Sequence, residues 1–367
     1  MLAEFKVRNY KNFRDELHFS LESAKNYEFN QNAVYHGIIK DAVVVGYNAS
    51  GKTNLGRAMM DLITHLTNKG IKKESALFYS NLYNSDQVVA FSYKFKFDSF
   101  VLEYDYEKED EDRILRECVR IDGKKFIVND TDQSFTCLSG SETLNLENWD
   151  KSISLVKYVY ANTVLDKSDK YCQVFLRFMK FVHQMLWFSS TEGLRAVGSV
   201  SDGGNMLEEI CSLENGVEQL EDFLREAGLS FKLMAKDTGE GKNIYCRMGD
   251  KEVVFAPLMS SGTRSLVFLF LWYMQRESLS FIFIDEFDAF YHTDLSLAVI
   301  RKLMQEKDIQ IVFTTHNTDV ITNELLRPDC YFQLDDNRIR PFCNLTDKAL
   351  REAHNLQKMY RAGAFHE

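Results

Sequence analysis

The feature that most constrains this chain is Gly46-Tyr47-Asn48-Ala49-Ser50-Gly51-Lys52-Thr53, which fits the pattern G-x-x-x-x-G-K-[ST]. The residues before it, Asp41-Ala42-Val43-Val44-Val45, form a short β-branched run that suits a buried parallel strand. After it the period changes: Leu55, Met59, Leu62 and Leu66 mark one face of a helix. A strand, a glycine-bounded loop and a helix start let backbone N–H groups curl around phosphate oxygens, and the helix N-terminus adds positive potential. Lys52 is then the residue to reach the β- and γ-phosphates of a nucleotide, and Thr53 the hydroxyl to hold magnesium. The competing reading is a glycine-rich turn that happens to carry Lys-Thr, and the flanking strand and helix argue against it.

Three further stretches gain meaning from their order after this loop. Phe281-Ile282-Phe283-Ile284-Asp285-Glu286 is four apolar residues and then two carboxylates. Asp285 at the strand end would hold magnesium through water, and Glu286 would polarise an attacking water. Thr314-Thr315-His316-Asn317 follows the apolar Ile311-Val312-Phe313. A lone histidine is more often structural than catalytic. At the carboxyl end of the next strand, where ligands collect in open α/β sheets, His316 can reach a γ-phosphate. Leu258-Met259-Ser260-Ser261-Gly262-Thr263-Arg264-Ser265 leads into the apolar helix Leu266–Met274, and Gly262 stands 23 residues before Asp285. By itself Ser-Ser-Gly is only a well-capped helix start.

Elsewhere the periodicity predicts strands over residues 1–45 and an antiparallel lobe over 87–128, where Val89, Phe91, Tyr93, Phe95 and Phe97 alternate with polar neighbours. The acidic stretch 107–112 reads as a solvated hairpin tip, and Asp122-Gly123 as a turn. Residues 165–230 read as helical, chiefly Tyr171–Leu186 and Gly216–Ala227, with Ser199–Asn205 as a loop. A last helix is expected from Asp347 to Tyr360. The organisation expected is a nucleotide-binding half over 1–130, an inserted, mostly helical lobe over 131–250, and a second half over 251–367. With 367 residues and 45% apolar side chains, a full core is available. The net charge of −10 argues against non-specific coating of DNA, which needs clustered Lys and Arg. The N-terminus alternates apolar and charged residues, and the longest apolar run is nine residues, so neither a secretory signal nor a membrane span is expected. Seven scattered cysteines without C-x-x-C pairs read as buried thiols in a reducing cytoplasm.

The order of phosphate loop, Ser-Gly signature, Asp-Glu and histidine resembles that of ABC ATPases, and the guanine motif N-K-x-D of GTPases is absent. More closely, the chain resembles the RecF/SMC/OLD branch. FKVRNYKNFRDELHFSL looks like that group's opening hairpin, GYNASGKTNL like its phosphate loop, LMSSGTRSL like its signature, and FIDEFDAFYH like its carboxylate strand. Within the branch it is similar to compact predicted ATPases of bacterial anti-phage and abortive-infection modules, and the closing LQKMYRAGAFHE looks like that subgroup too.

The resemblance implies an ABC-type P-loop fold: a mixed or parallel core sheet, an antiparallel β lobe and an inserted helical lobe. It implies binding and slow hydrolysis of ATP with Mg2+. Gly46, Asn48, Ser50, Gly51, Lys52, Thr53 and Asn54 would hold the nucleotide, Thr53 and Asp285 the metal. Glu286 would be the base and His316 the γ-phosphate switch. Ser260 and Gly262 would act in trans, because in this fold the signature helix points away from its own phosphate loop, so a homodimer or higher homo-oligomer follows. Arg14 either approaches a phosphate or is an exposed strand-end arginine. Ser261 stands where the signature has glycine, Thr263 where it has Gln or Glu, and His292 where many ABC proteins carry aspartate.

Only 204 residues separate Thr53 from Leu258, too few for an SMC-like coiled-coil arm, and 51 follow His316, too few for the TOPRIM nuclease of OLD enzymes. The expected role is therefore a cytoplasmic sensor or scaffold, triggered by a phage protein, that controls a separately encoded effector, most simply a nuclease. The alternative is a RecF-like repair ATPase whose partner is DNA. A stand-alone toxin with its active site in 165–255 is a third reading, and no constellation there supports it.

Overall fold

A computed structural model describes residues 1–67, 69, 78–147, 149–189, 195–198, 206–239, 241–289, 292–335 and 337–365. Two seven-stranded sheets dominate. The core sheet runs, edge to edge, Arg195–Gly198, Met185–Ser189, Phe281–Asp285, Gln310–Thr315, Asp41–Val45, Tyr331–Asp335 and Arg338–Pro341. Its five central strands are parallel and its two edges antiparallel. The three strands read as apolar runs are buried along their whole length, as a strand covered on both faces must be.

The second sheet is wholly antiparallel: Ser134–Thr136, Lys124–Asn129, Ile114–Ile121, Phe100–Lys108, Val89–Phe97, Leu2–Arg8 and Leu17–Ser20. Its period-two pattern translates directly into burial, since Val89–Phe97 alternates buried and half-buried residues throughout. The helix Lys170–His183 presses its aromatic face on this sheet, with Phe95 5.2 Å from Phe178 and 5.3 Å from Phe181. Phe181 also reaches Phe281 of the core sheet at 6.4 Å, so one helix fastens both layers. The amide of Gln310 does the same, bonding Leu2 of one sheet and Ile39 ahead of the phosphate-loop strand.

The helix after the phosphate loop comes in two pieces, Lys52–Met59 and Asp61–Leu66, both inside the core. Gly56 is there because of close approach: a Cβ would stand 2.5 Å from Cε1 of Phe283 and 2.9 Å from Nε1 of Trp187. Gly56→Ala is expected to destabilise the chain by about 1–3 kcal/mol, overpacking outweighing the gain in helix propensity. Urea unfolding of the two proteins measures it, and an unchanged or higher midpoint would contradict the packing seen here.

Asp61 anchors the second piece to the antiparallel sheet. It accepts from Lys108 at 2.6 Å and from Tyr79 and Tyr106 at 3.0 Å each. Lys108 was expected at a solvated hairpin tip from 107; it is fully buried, and the tip lies beyond it. A buried ammonium needs such partners, so the ion pair explains the burial. Glu117 is buried as well, accepting from Ser154 at 2.7 Å, from Tyr104 at 3.0 Å and from the backbone N–H of Leu155 at the start of helix Leu155–Asn162.

The span 131–250 departs from the helical lobe expected of it. It gives Ser134–Thr136 to the antiparallel sheet, Met185–Ser189 and Arg195–Gly198 to the core sheet, and Leu233–Thr238 and Gly241–Met248 to a separate meander that Lys251–Val254 completes. Helices Met206–Ser212 and Gly216–Glu226 pack on that meander. The end of the expected helix Tyr171–Leu186 is strand because the apolar run Met185-Leu186-Trp187-Phe188 is compatible with either period, and pairing with Phe281–Asp285 decides it. The final helix is only Leu356–Arg361, capped by Asn355. The loop read at 199–205 lies outside the described residues. The seven cysteines are unbridged, but not all buried: Cys137 is exposed. Among the described residues no helix is long and apolar enough to cross a membrane.

Candidate functional site

Register converges the candidate residues. Thr315 pairs with Val45, Ile284 with Phe313, and Ser189 with Asp285, so the phosphate loop, the carboxylates and His316 all leave the carboxyl ends of the central parallel strands. Thr314 crosses between two of these strands. Its hydroxyl lies 2.8 Å from Oδ1 of Asp285 and accepts the backbone N–H of Glu286 at 2.9 Å. Glu286 has φ 47°, a left-handed backbone unusual for a side-chain-bearing residue, and the Thr314 bond holds it there. Thr315 likewise donates to Asp288 at 2.6 Å. Burial pushes the Asp288 carboxyl up, while the Thr315 hydrogen bond works the other way.

Lys52 is buried at the head of its helix. Its Nζ lies 2.9 Å from the Gly46 carbonyl, 3.1 Å from that of Tyr47 and 3.2 Å from Nδ1 of His316. An ammonium only donates, so Nδ1 accepts. The ring proton then sits on Nε2, which donates to Oε1 of Glu286 at 2.9 Å. Lys52, His316 and Glu286 therefore form one hydrogen-bonded line across the mouth of the loop. Burial lowers the Lys52 amine to about 8, against the pull of Glu286, Asp285 and Asp288.

The loop's own form suits a phosphate. Gly51 has φ 100°, and a Cβ there would meet the Asn12 amide at 2.4 Å. Asn54 holds that amide from the other side, donating to Oδ1 of Asn12 at 2.6 Å. The Ser50 hydroxyl is buried without a hydrogen-bond partner among the described residues, as a group awaiting an acceptor would be. Asn48 is exposed at the loop's turn and Thr53 half-buried on the first helical turn. Thr53 and Asp285 offer hard oxygen donors of the type magnesium takes together with substrate phosphates. These features fit a magnesium nucleotide, and Lys52, Ser50, Thr53 and Asp285 are the residues that would hold it.

Two expected groups lie apart from this line. Ser260 caps helix Ser261–Met274, which starts five residues earlier than its apolar run, and accepts from Thr263 N–H at 3.1 Å. Ser260, Ser261 and Arg264 are exposed, so the helix N-terminus faces outward. Arg14 is exposed and bonds Asn84 at 3.3 Å. His292 sits immediately before helix Thr293–Leu303 as its cap residue. Sequence reasoning passed over Asn12, whose only signal is a polar side chain in the turn after the first strand. It also passed over Thr314 as a link between Asp285 and Glu286.

Sheet order, phosphate loop and convergent carboxylates give the chain the ABC-type P-loop fold of SMC head domains. Residues 189–322 match the family model described as "AAA domain, putative AbiEii toxin, Type IV TA system", a span that includes the signature helix, Asp285, Glu286 and His316. Among solved structures, the fold is similar to an SMC head bound to the C-winged helix domain of ScpA, at 10% identity and TM-score 0.50, covering 92% of this chain and 96% of that one. The SMC head domain from Thermotoga maritima is also similar, at 14% identity and TM-score 0.46, over 93% of this chain and 98% of that one. No curated protein matches the chain.

Proposed function

We propose that this chain is the ATP-binding, slowly hydrolysing sensor or scaffold subunit of a cytoplasmic anti-phage complex, and that it works as a homodimer closed over two nucleotides. The observation that carries the reading is the line Lys52–His316–Glu286 at the mouth of a formed phosphate loop, with a signature helix whose start faces solvent. A helix N-terminus turned outward is suited to the γ-phosphate of a second copy. A site completed only on association hydrolyses slowly, because each turnover waits for that association, and a sensor gains from resting in one nucleotide state. The match of 189–322 to an abortive-infection-type AAA domain supports placing it in defence, where it would hold a separately encoded effector, a nuclease in the simplest case, until a phage protein triggers release.

The RecF-like reading receives less support from the outer face of the antiparallel sheet. The groove there places Lys6, Arg8, Arg116, Arg120 and Lys125 among Glu16, Asp105, Glu107 and Asp130, with Arg120 paired to Asp105 and Arg116 to Asp130. Such interleaving is not the unbroken basic strip that neutralises a phosphate backbone. The test is to express the tagged chain with its native gene neighbours and to analyse the purified material by mass spectrometry with and without ATP. A stoichiometric neighbour-encoded protein is expected. Recovery of the chain alone or with DNA, together with unchanged phage sensitivity on deletion, would sink the proposal.

A further inference from the structure

The closing segment LQKMYRAGAF has no part in the reading above, yet it is docked beside the site. Leu356, Tyr360 and Phe365 are buried, and Phe342 stacks on Phe365 at 4.4 Å and on Tyr360 at 5.6 Å. Phe342 also meets Tyr331, whose strand pairs with the phosphate-loop strand at Val43. The helix Leu356–Arg361 is thus anchored at its base to the core sheet.

Its other contacts fall on the turn that follows His316. The Asn323 amide bonds the carbonyls of Arg351, Glu352 and His354 at 3.0, 3.0 and 2.9 Å. Arg361 donates to Oδ1 of Asp319 at 2.6 Å and to the Thr318 hydroxyl at 3.2 Å, and Gln357 donates to the same Oδ1. The second oxygen of Asp319 accepts from Thr293 at 3.3 Å, the first residue of the helix after the carboxylate loop. Asn317 closes the circuit: its Oδ1 accepts from Asp319 N–H at 2.9 Å and its amide donates to Thr293 at 3.2 Å. Asp319 therefore joins the switch turn, the end of the carboxylate loop and the C-terminal helix. His316 lies three residues away and carries the bond to Glu286.

From this we infer that Arg361 and Gln357 are positioning residues for His316, and that the C-terminal helix holds the switch histidine where a γ-phosphate arrives. The inference rests on the ATP-site reading above. A solvated Arg–Asp pair contributes little to global stability, because water screens it and side-chain entropy opposes it. The effect sits instead in the geometry of the turn, and so in the response to the one phosphate that distinguishes ATP from ADP.

The experiment compares affinity for Mg-ATP and Mg-ADP by titration calorimetry in the wild type, Arg361→Ala, Arg361→Lys and Asp319→Asn. Arg361→Ala and Asp319→Asn are expected to weaken ATP about five- to tenfold and ADP less than twofold, and Arg361→Lys to restore most of the ATP affinity. Asp319→Asn keeps the size of the side chain and serves where Arg361→Ala fails to fold. Equal loss for both nucleotides, or no loss for either, overturns the inference and leaves the ATP site standing. A wild type that binds neither nucleotide removes the ATP site and this inference together.

Discussion

Replacing Lys52 with alanine is expected to lower ATP affinity by at least about thirtyfold while leaving the fold intact. Removing a buried, hydrogen-bonded charge from a charged partner costs about 2–5 kcal/mol. Lys52 is the buried ammonium of the loop, and it is held by its own loop carbonyls and by His316 rather than by a carboxylate. Those bonds are what an arriving phosphate would exchange for better ones. Stability should move by no more than about 1 kcal/mol, because burial already disfavours the ammonium and lowers the amine to about 8. The same shift gives a pH signature. Phosphate favours the ammonium, so above pH 8 binding must take up a proton and wild-type affinity falls as pH rises through that value. Calorimetry at pH 7 and pH 9 together with thermal unfolding checks both parts. Undiminished ATP binding by Lys52→Ala would remove the phosphate loop from the mechanism.

What the sequence disclosed about this site follows from how its residues are distributed along the chain. The phosphate loop and the Asp285-Glu286 pair are contiguous, each follows a short apolar run that folds as a buried strand, and their order along the chain gives the second its meaning. His316 was reachable for the same reason, at the end of Gln310–Thr315. Asn12 was not, because its meaning depends on a contact with Gly51 and Asn54 about forty residues away that no local pattern encodes. The same holds for Asp319 and Arg361, joined across 42 positions. The antiparallel lobe came through its alternation, including the Asp122-Gly123 turn, where both residues have positive φ. The strand Met185–Ser189 did not, since a fully buried strand continuing from an amphipathic helix shows no change of period. Lys108 shows the complementary limit: a lysine beside an acidic tip looks solvated until Asp61 is brought to it by the fold.

Glu286→Gln is expected to separate chemistry from assembly and so to decide whether two copies close on each other. The glutamine oxygen can still accept from Nε2 of His316, and the backbone bond to Thr314 is untouched, so the site should keep its geometry. What is lost is the carboxylate that polarises water in the proposed role, and removing such a group slows hydrolysis about 10²- to 10⁴-fold. A wild-type protein that hydrolyses its nucleotide falls back from the closed state. The variant should accumulate in that state with Mg-ATP, at twice the 42.7 kDa protomer mass by light scattering, and should remain a monomer with ADP. The start of helix Ser261–Met274 supplies the internal control, because Ser260 is exposed and lies apart from the Lys52–His316–Glu286 line. Adding Ser260→Arg places a bulky cation where a second copy's γ-phosphate would sit against the helix N-terminus, and it should return the double variant to monomer while leaving the monomer's own ATP site within about twofold of the wild-type monomer's. A Glu286→Gln protein that stays monomeric with ATP would count against closure of any kind. A dimer that survives Ser260→Arg would mean that the copies meet, but not through the signature helix.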